Sequence, residues 1–153
     1  MLRQMTNVFD VAKYILQKQG SMTTMKLQKL VYYCQAWSLV WDEKPLFNEK
    51  IQAWASGPVV RELYDQHKGK FTISDIDKGN ISKLTEKQKA TIDAVLKAYC
   101  DKPAQWLADL THMEQPWIDA RIGYDPGENC GNEISLSSMA EYYSSLPPNS
   151  ELV

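Results

Sequence analysis

The sequence has little of what site chemistry usually draws on. Cysteine occurs three times, at Cys34, Cys100 and Cys130, with no C-x-x-C spacing. An odd, scattered set of this kind argues against a disulfide framework and a zinc ribbon. Histidine occurs twice, at His67 and His112, so a metal centre would need ligands from scattered positions and no cofactor is expected. G-x-S-x-G, H-E-x-x-H and a glycine-rich phosphate loop are all missing. No apolar run approaches the roughly 20 residues of a membrane span, and the opening MLRQMTNVFD lacks the apolar core of a secretory signal. Lysine and arginine never cluster beyond a pair and the net charge is −2, so neither nucleic acid nor a membrane is an expected partner. These absences point to the cytosol and to a chain with no evident reaction.

What is present is a core. At 153 residues with 44% hydrophobic side chains, one domain can bury roughly 70% of its unfolded surface without a metal or disulfide staple. The stretch at 23–42 organises it. Leu27, Leu30, Val31, Cys34, Trp37, Ser38 and Trp41 recur at helical spacing, and Tyr33 and Val40 widen the stripe. The far side keeps few polar places, chiefly Gln28, Lys29 and Gln35, so this helix is expected to be surrounded by others. Thr23 or Thr24 would cap its start, and Pro45 forbids its continuation.

The expected fold is therefore mainly α, a single-domain helical bundle around the helix at 23–42, with a small β-hairpin or extended loop at 46–56. A first amphipathic helix runs from Asn7 to a stop at Gly20, with Met5, Val8, Phe9, Ala12, Ile15 and Leu16 inward and Asp10, Lys13 and Gln17 outward. Gly57-Pro58 resets the backbone, and Pro58 is expected to open a helix ending near Gly69. Residues 70–84 read as a surface connection pinned by isoleucines. Thr85 and Gln88 form a capping box before a helix that turns Ile92, Val95, Leu96 and Tyr99 inward. Pro103 begins the next helix, with Trp106, Leu107, Leu110 and Met113 on one stripe. Pro116 interrupts before a short turn of helix at 117–121, and a last helix opens near Ser137 or Ser138, the latter with Glu141 three residues on. The domain is expected to span 1–146 and a flexible tail 147–153.

His112 is the residue closest to a general base, yet a histidine at a helix end more simply answers terminal carbonyls and the helix dipole. Trp117 more simply covers the core. Arg61, Glu62, Tyr64, Asp65 and His67 crowd one short helix, a solvated face by default and a recognition site otherwise. Lys26 and Lys29 stand near a helix start, where the dipole favours acids. Their placement suggests a fixed carboxylate partner, inside the chain or on another protein, with stem packing and solvated heads as the alternative.

Four separated motifs then resemble one family. The run at 24–33 (TMKLQKLVYY), Pro45-Leu46-Phe47, the segment at 51–60 (IQAWASGPVV) with Leu63-Tyr64, and Leu110-Thr111-His112 with Pro116-Trp117 are similar to the Panacea domain of SocA-like antitoxins and GepA-type phage-associated proteins. The resemblance covers 22–143. It implies a helical, non-enzymatic, intracellular bacterial or prophage module that neutralises a toxin protein encoded nearby. Neutralisation would be by direct binding or by adaptor delivery to an ATP-dependent protease, and autoregulation at DNA would need another subunit. Leu27, Gln28, Tyr33, Gly57, Pro58, His112 and Pro116 match as structural positions, with Lys26, Lys29, Trp54 and Trp117 also on the pattern. Ser56 stands where the family commonly has an aromatic, so no stacking role carries over there.

Three functions are weighed. An antitoxin would present aromatic and arginine anchors, here Trp54, Trp117, Tyr64 and Arg61, with Lys26 and Lys29 as further candidates. A prophage-associated interaction protein without a cognate toxin is the second. An enzyme with a pocket around His112, Tyr64 and Trp117 is the third. Oligomeric state stays open.

Overall fold

In the computed structural model, which describes residues 5–147, the elements run α1 (Val8–Gln19), β1 (Met22–Thr23), α2 (Thr24–Trp41), β2 (Ile51–Trp54), β3 (Gly57–Val60), α3 (Arg61–His67), β4 (Thr72–Ile73), a 3-10 turn at Ile81–Lys83, α4 (Glu86–Tyr99), α5 (Ala104–His112), α6 (Gln115–Ala120) and α7 (Leu136–Ser144). The fold is mainly α and centred on α2, as the periodicity predicts. Thr23 caps that helix by accepting from Lys26 N at 3.2 Å, and every residue from 27 to 38 is buried. α1, α4, α5, α7 and β3 all pack on it.

Such complete burial forces the polar residues of α2 to find partners, because a buried polar group without one costs on the order of 1–3 kcal/mol. Two glutamines, seven residues apart, do so by imitating a peptide group. Gln28 accepts from Val60 N at 2.9 Å and donates to Val60 O at 3.3 Å, pairing the free edge of β3. Gln35 accepts from Leu46 N and Phe47 N and donates to Phe47 O, at 2.7, 3.2 and 2.8 Å. The Pro-Leu-Phe segment is thus stitched to α2 as irregular chain. The hairpin lies further on, β2 pairing antiparallel with β3 in the register Trp54↔Gly57 around a two-residue turn.

Several expectations need correcting. Pro58 sits in β3 opposite Ala53 and opens no helix; α3 starts at Arg61, once the hairpin pairing ends. Asp10 is buried at 0% exposure, where the periodicity placed it outside. Its carboxylate completes the Asn7 capping box, accepts from Asn80 N at 2.7 Å and lies 3.3 Å from Lys83 Nζ. Met5, expected inward, is 64% exposed because it precedes the cap and helical spacing does not reach it. Trp106 and Met113 are exposed; the buried face of α5 is Leu107, Ala108 and Thr111. Ser135, with its hydroxyl accepting from Ser138 N at 3.1 Å, caps α7, in place of Ser137 or Ser138. The isoleucine anchoring of 70–84 holds at Ile73 and Ile76, and β1 pairs with β4 beside them. Of the tail expected at 147–153, positions 148–153 lie outside the described residues.

Candidate functional site

The hairpin and α3 build one face together. Trp54 at the end of β2 and Tyr64 on α3 meet edge to face with centroids 4.9 Å apart, and the Arg61 guanidinium lies 5.8 Å from the Tyr64 ring. Trp54 is half-buried and Arg61 exposed. The indole is oriented by its own strand, Trp54 Nε1 donating to Gln52 Oε1 at 2.8 Å. Beside them is a pocket of about 480 Å³ lined by Gln52, Trp54, Ala55, Ser56, Arg61 and Cys130, among others. Its far wall belongs to the loop after α6, which Arg121 holds in place. That side chain is 4% exposed and donates to the carbonyls of Ala53, Asp125 and Glu128, at 2.8, 2.8 and 2.6 Å.

Beneath the hairpin turn lies a second, buried group. Trp117 is stacked on His112 at 4.2 Å and donates through Nε1 to Trp54 O at 2.8 Å, tying α5 and α6 to the hairpin. His112 Nε2 is buried and has no hydrogen-bond partner. Lys29 is 1% exposed. Burial alone pushes its ammonium down from 10.5 to about 7, with no carboxylate contributing. The lysine stem passes directly under Gly57, where a Cβ would stand 2.5 Å from Lys29 Cε and 3.3 Å from Nζ. Gly57 also has φ +116°, so both backbone conformation and space demand glycine. Burial, and then the Lys29 charge, lower the pKa of His112. His67 is lowered by burial first with Lys29 adding to it, and its ring meets Gln28 Nε2 at 2.9 Å.

A third group sits about one turn further along α2, around Tyr33. Glu114, 6% exposed, accepts from the hydroxyls of Tyr33 and Tyr143, both at 2.7 Å, and the hydroxyl of Tyr32 lies 3.1 Å from that of Tyr143. Desolvation raises Glu114 from 4.5 to about 7, the two tyrosines pulling against it. Tyr33 stacks on Tyr99 at 4.3 Å, so α2, α4, α7 and the α5–α6 corner share one polar-aromatic knot.

The structure therefore brings Trp54, Tyr64 and Arg61 together on the surface and puts Trp117, His112 and Lys29 below them. Lys26 is elsewhere, donating to the Cys100 carbonyl at the end of α4. The carboxylate expected for the two lysines is absent among the described residues, since Lys26 has found a carbonyl instead. Nor does Lys29 keep its head in water. Helical spacing gave no sign of Glu114 or Arg121, because an acid before Gln-Pro and a basic residue before a glycine-rich loop look solvated. Among the described residues no group of three His, Cys, Asp or Glu side chains could hold a metal ion, and no helix is long and apolar enough to cross a membrane.

Comparison with known proteins identifies one family. The model described as antitoxin SocA-like, Panacea domain, matches residues 27–118, from the start of the buried stretch of α2 into α6. No curated protein and no solved structure matches the chain.

Proposed function

Because this chain belongs to the Panacea-domain family of SocA-like antitoxins, we propose that it is an antitoxin that neutralises a toxin protein encoded beside it by gripping that protein with the hairpin and α3. One observation carries the choice of surface: Trp54, Tyr64 and Arg61 converge there, at a pocket of about 480 Å³. These residue types dominate binding energy at protein interfaces, where a few anchors carry most of it. A non-enzymatic, cytoplasmic role fits this arrangement, the aromatic side chains serving as contact area and the residues beneath as their support. In the adaptor route the same grip would hold the toxin for an ATP-dependent protease.

Co-expression with the product of the adjacent reading frame tests the proposal. Growth arrest by that product alone, relieved by this protein, is the expected result; Trp54→Ala should weaken the complex at least about tenfold. Toxin persisting in a stable complex indicates direct neutralisation, and toxin disappearing in a protease-dependent way indicates delivery. A neighbour harmless alone, or equally toxic in the presence of this protein, sinks the antitoxin role.

A further inference from the structure

We infer that the hairpin and α3 form a groove for an extended segment of a partner protein, with an aspartate or glutamate held on Arg61 and an apolar side chain beside Trp54. The inference rests on the contact face proposed above and adds the chemistry of what occupies it. Two cavities carry it. One of about 480 Å³ is lined by Trp54, Ala55, Ser56 and Cys130, among others, and one of about 450 Å³ by Asn48, Glu49, Lys50 and Glu62; Gln52 and Arg61 line both. They are two lobes of one groove that meet at Gln52 and Arg61.

The floor of the groove is β2. Ile51 and Ala53 are buried while Gln52 and Trp54 are half-buried, so the outward side chains stand roughly 7 Å apart along the strand. An extended chain lying over β2 repeats its own side chains at the same interval, which sets its residues i and i+2 over successive outward positions. Strand addition to β2 is closed off. β3 pairs with one edge, and on the other Ala53 N donates to Asn132 O at 2.9 Å and Ile134 N to Ile51 O at 2.8 Å. The occupant is therefore held by side chains. Trp54 is fixed for that purpose by its bond to Gln52 Oε1 at 2.8 Å and its edge contact with Tyr64 at 4.9 Å.

Charge sets what the middle of the segment carries. Among the described residues, Arg61 is the one charged side chain lining the larger lobe. Asp65 meets it at Nε, 3.3 Å away, and neither Nη group has a hydrogen-bond partner among the described residues. The outer fork of the guanidinium is thus open, and a carboxylate matches that fork with two parallel hydrogen bonds. In the smaller lobe Lys50 is set against Glu49 and Glu62 and lies 3.8 Å from Glu133, so the open positive charge is that of Arg61. Beside it, Trp54, Ala55 and Cys130 give the larger lobe contact area for an apolar side chain. A small free acid would engage Arg61 and leave that area uncovered, whereas a segment with an acid and an apolar residue two positions apart covers both.

The test pans a phage library of random peptides of about eight residues, enough to span the groove at roughly 3.3 Å per extended residue, on the whole protein, on Arg61→Ala and on Arg61→Glu. Sequences enriched on the parent protein should share an Asp or Glu with an aliphatic or aromatic residue two positions away. On Arg61→Ala the acid should drop out of the consensus. On Arg61→Glu it should give way to Lys or Arg, an exchange that damage to the fold would not produce. A synthetic copy of the strongest binder, titrated calorimetrically, should lose at least about tenfold in affinity when its acid is replaced by the amide. No enrichment on the parent, a consensus without the acid, or an unchanged consensus on Arg61→Glu overturns the inference. Co-expression with the product of the adjacent reading frame separates this result from the antitoxin role. Neutralisation without an acidic consensus overturns the groove chemistry and leaves that role standing; an Arg61-dependent acidic consensus without neutralisation upholds the groove and removes that role.

Discussion

The two buried ionisable centres, one helical turn apart along α2, are built in opposite ways. Glu114 has two tyrosine hydroxyls at 2.7 Å, and those tyrosines are locked in turn by aromatic neighbours. Lys29 has burial without a partner. The first arrangement is complete and reads as architecture, since a fully satisfied buried network rigidifies the elements it joins. The second is incomplete, and it lies beneath the face that carries the surface aromatics. Satisfaction, more than burial, separates the two.

The sharpest way to break that contrast is Glu114→Ala. It strands the Tyr33 and Tyr143 hydroxyls and opens a cavity, so stability should fall by about 3 kcal/mol, roughly 10 °C in Tm, with Glu114→Gln far milder. A loss as small as that of a surface substitution would mean the knot is ornamental.

Stability against pH comes next. Glu114 is held at about 7 against an ordinary 4.5, so it binds its proton more tightly folded than unfolded; its contribution is full below 4.5 and is lost as pH rises to 7. Lys29 is held at about 7 against 10.5 and behaves in reverse, its contribution being present above 10.5 and lost as pH falls to 7. Urea unfolding should therefore give a minimum near neutrality, with an acid limb on the order of 3 kcal/mol and an alkaline limb on the order of 5 kcal/mol across their full spans. Glu114→Gln should flatten the acid limb and Lys29→Met the alkaline one. A single monotonic slope would contradict one of the two assignments, its sign telling which. Lys29→Met should also raise stability at pH 6, by on the order of 2 kcal/mol, because an unpaired buried cation is replaced by an apolar side chain. Loss of stability in that variant would show that Lys29 already has what it needs and would erase the comparison.

How much of this was legible beforehand divides along the same line. The helix at 23–42 was readable because nearly all of it is apolar, and the Asn7 and Thr85 caps because capping chemistry is local. The hairpin was only half readable: Gly57-Pro58 signals a change of backbone direction, but whether a strand or a helix follows depends on the pairing with β2 and on Gln28, thirty-two residues away. Asp10 was misplaced because periodicity sorts polar from apolar, while a carboxylate that accepts from Asn7 N and Asn80 N can be buried. Residue type points to Trp54, Trp117, Tyr64 and Arg61; three of these converge on the surface, while Trp117 is buried beneath them. Lys29 stands out in the sequence by its awkward charge near a helix start. Its lack of a counter-ion required three dimensions, as did the Glu114 knot, whose partners lie 81 and 29 residues away.

The smallest effect on stability is expected on the surface, and its smallness is the point. Arg61 makes one exposed pair, Nε to Asp65 Oδ1 at 3.3 Å, and one distant approach to the Tyr64 ring at 5.8 Å. Exposed pairs one helical turn apart are worth about 0.3–0.5 kcal/mol and an exposed cation over a ring about as much, so Arg61→Ala should shift Tm by no more than about 3 °C. On the proposed role the same change should still weaken the complex with the co-encoded partner by about tenfold, because desolvation at an interface strengthens contacts that water screens in the free protein. A calorimetric titration beside a melting curve reads both quantities from one preparation. If Arg61→Ala and Trp54→Ala bind the partner as the parent does, the contact face lies elsewhere; if they unfold the protein, these residues belong with Glu114 as architecture.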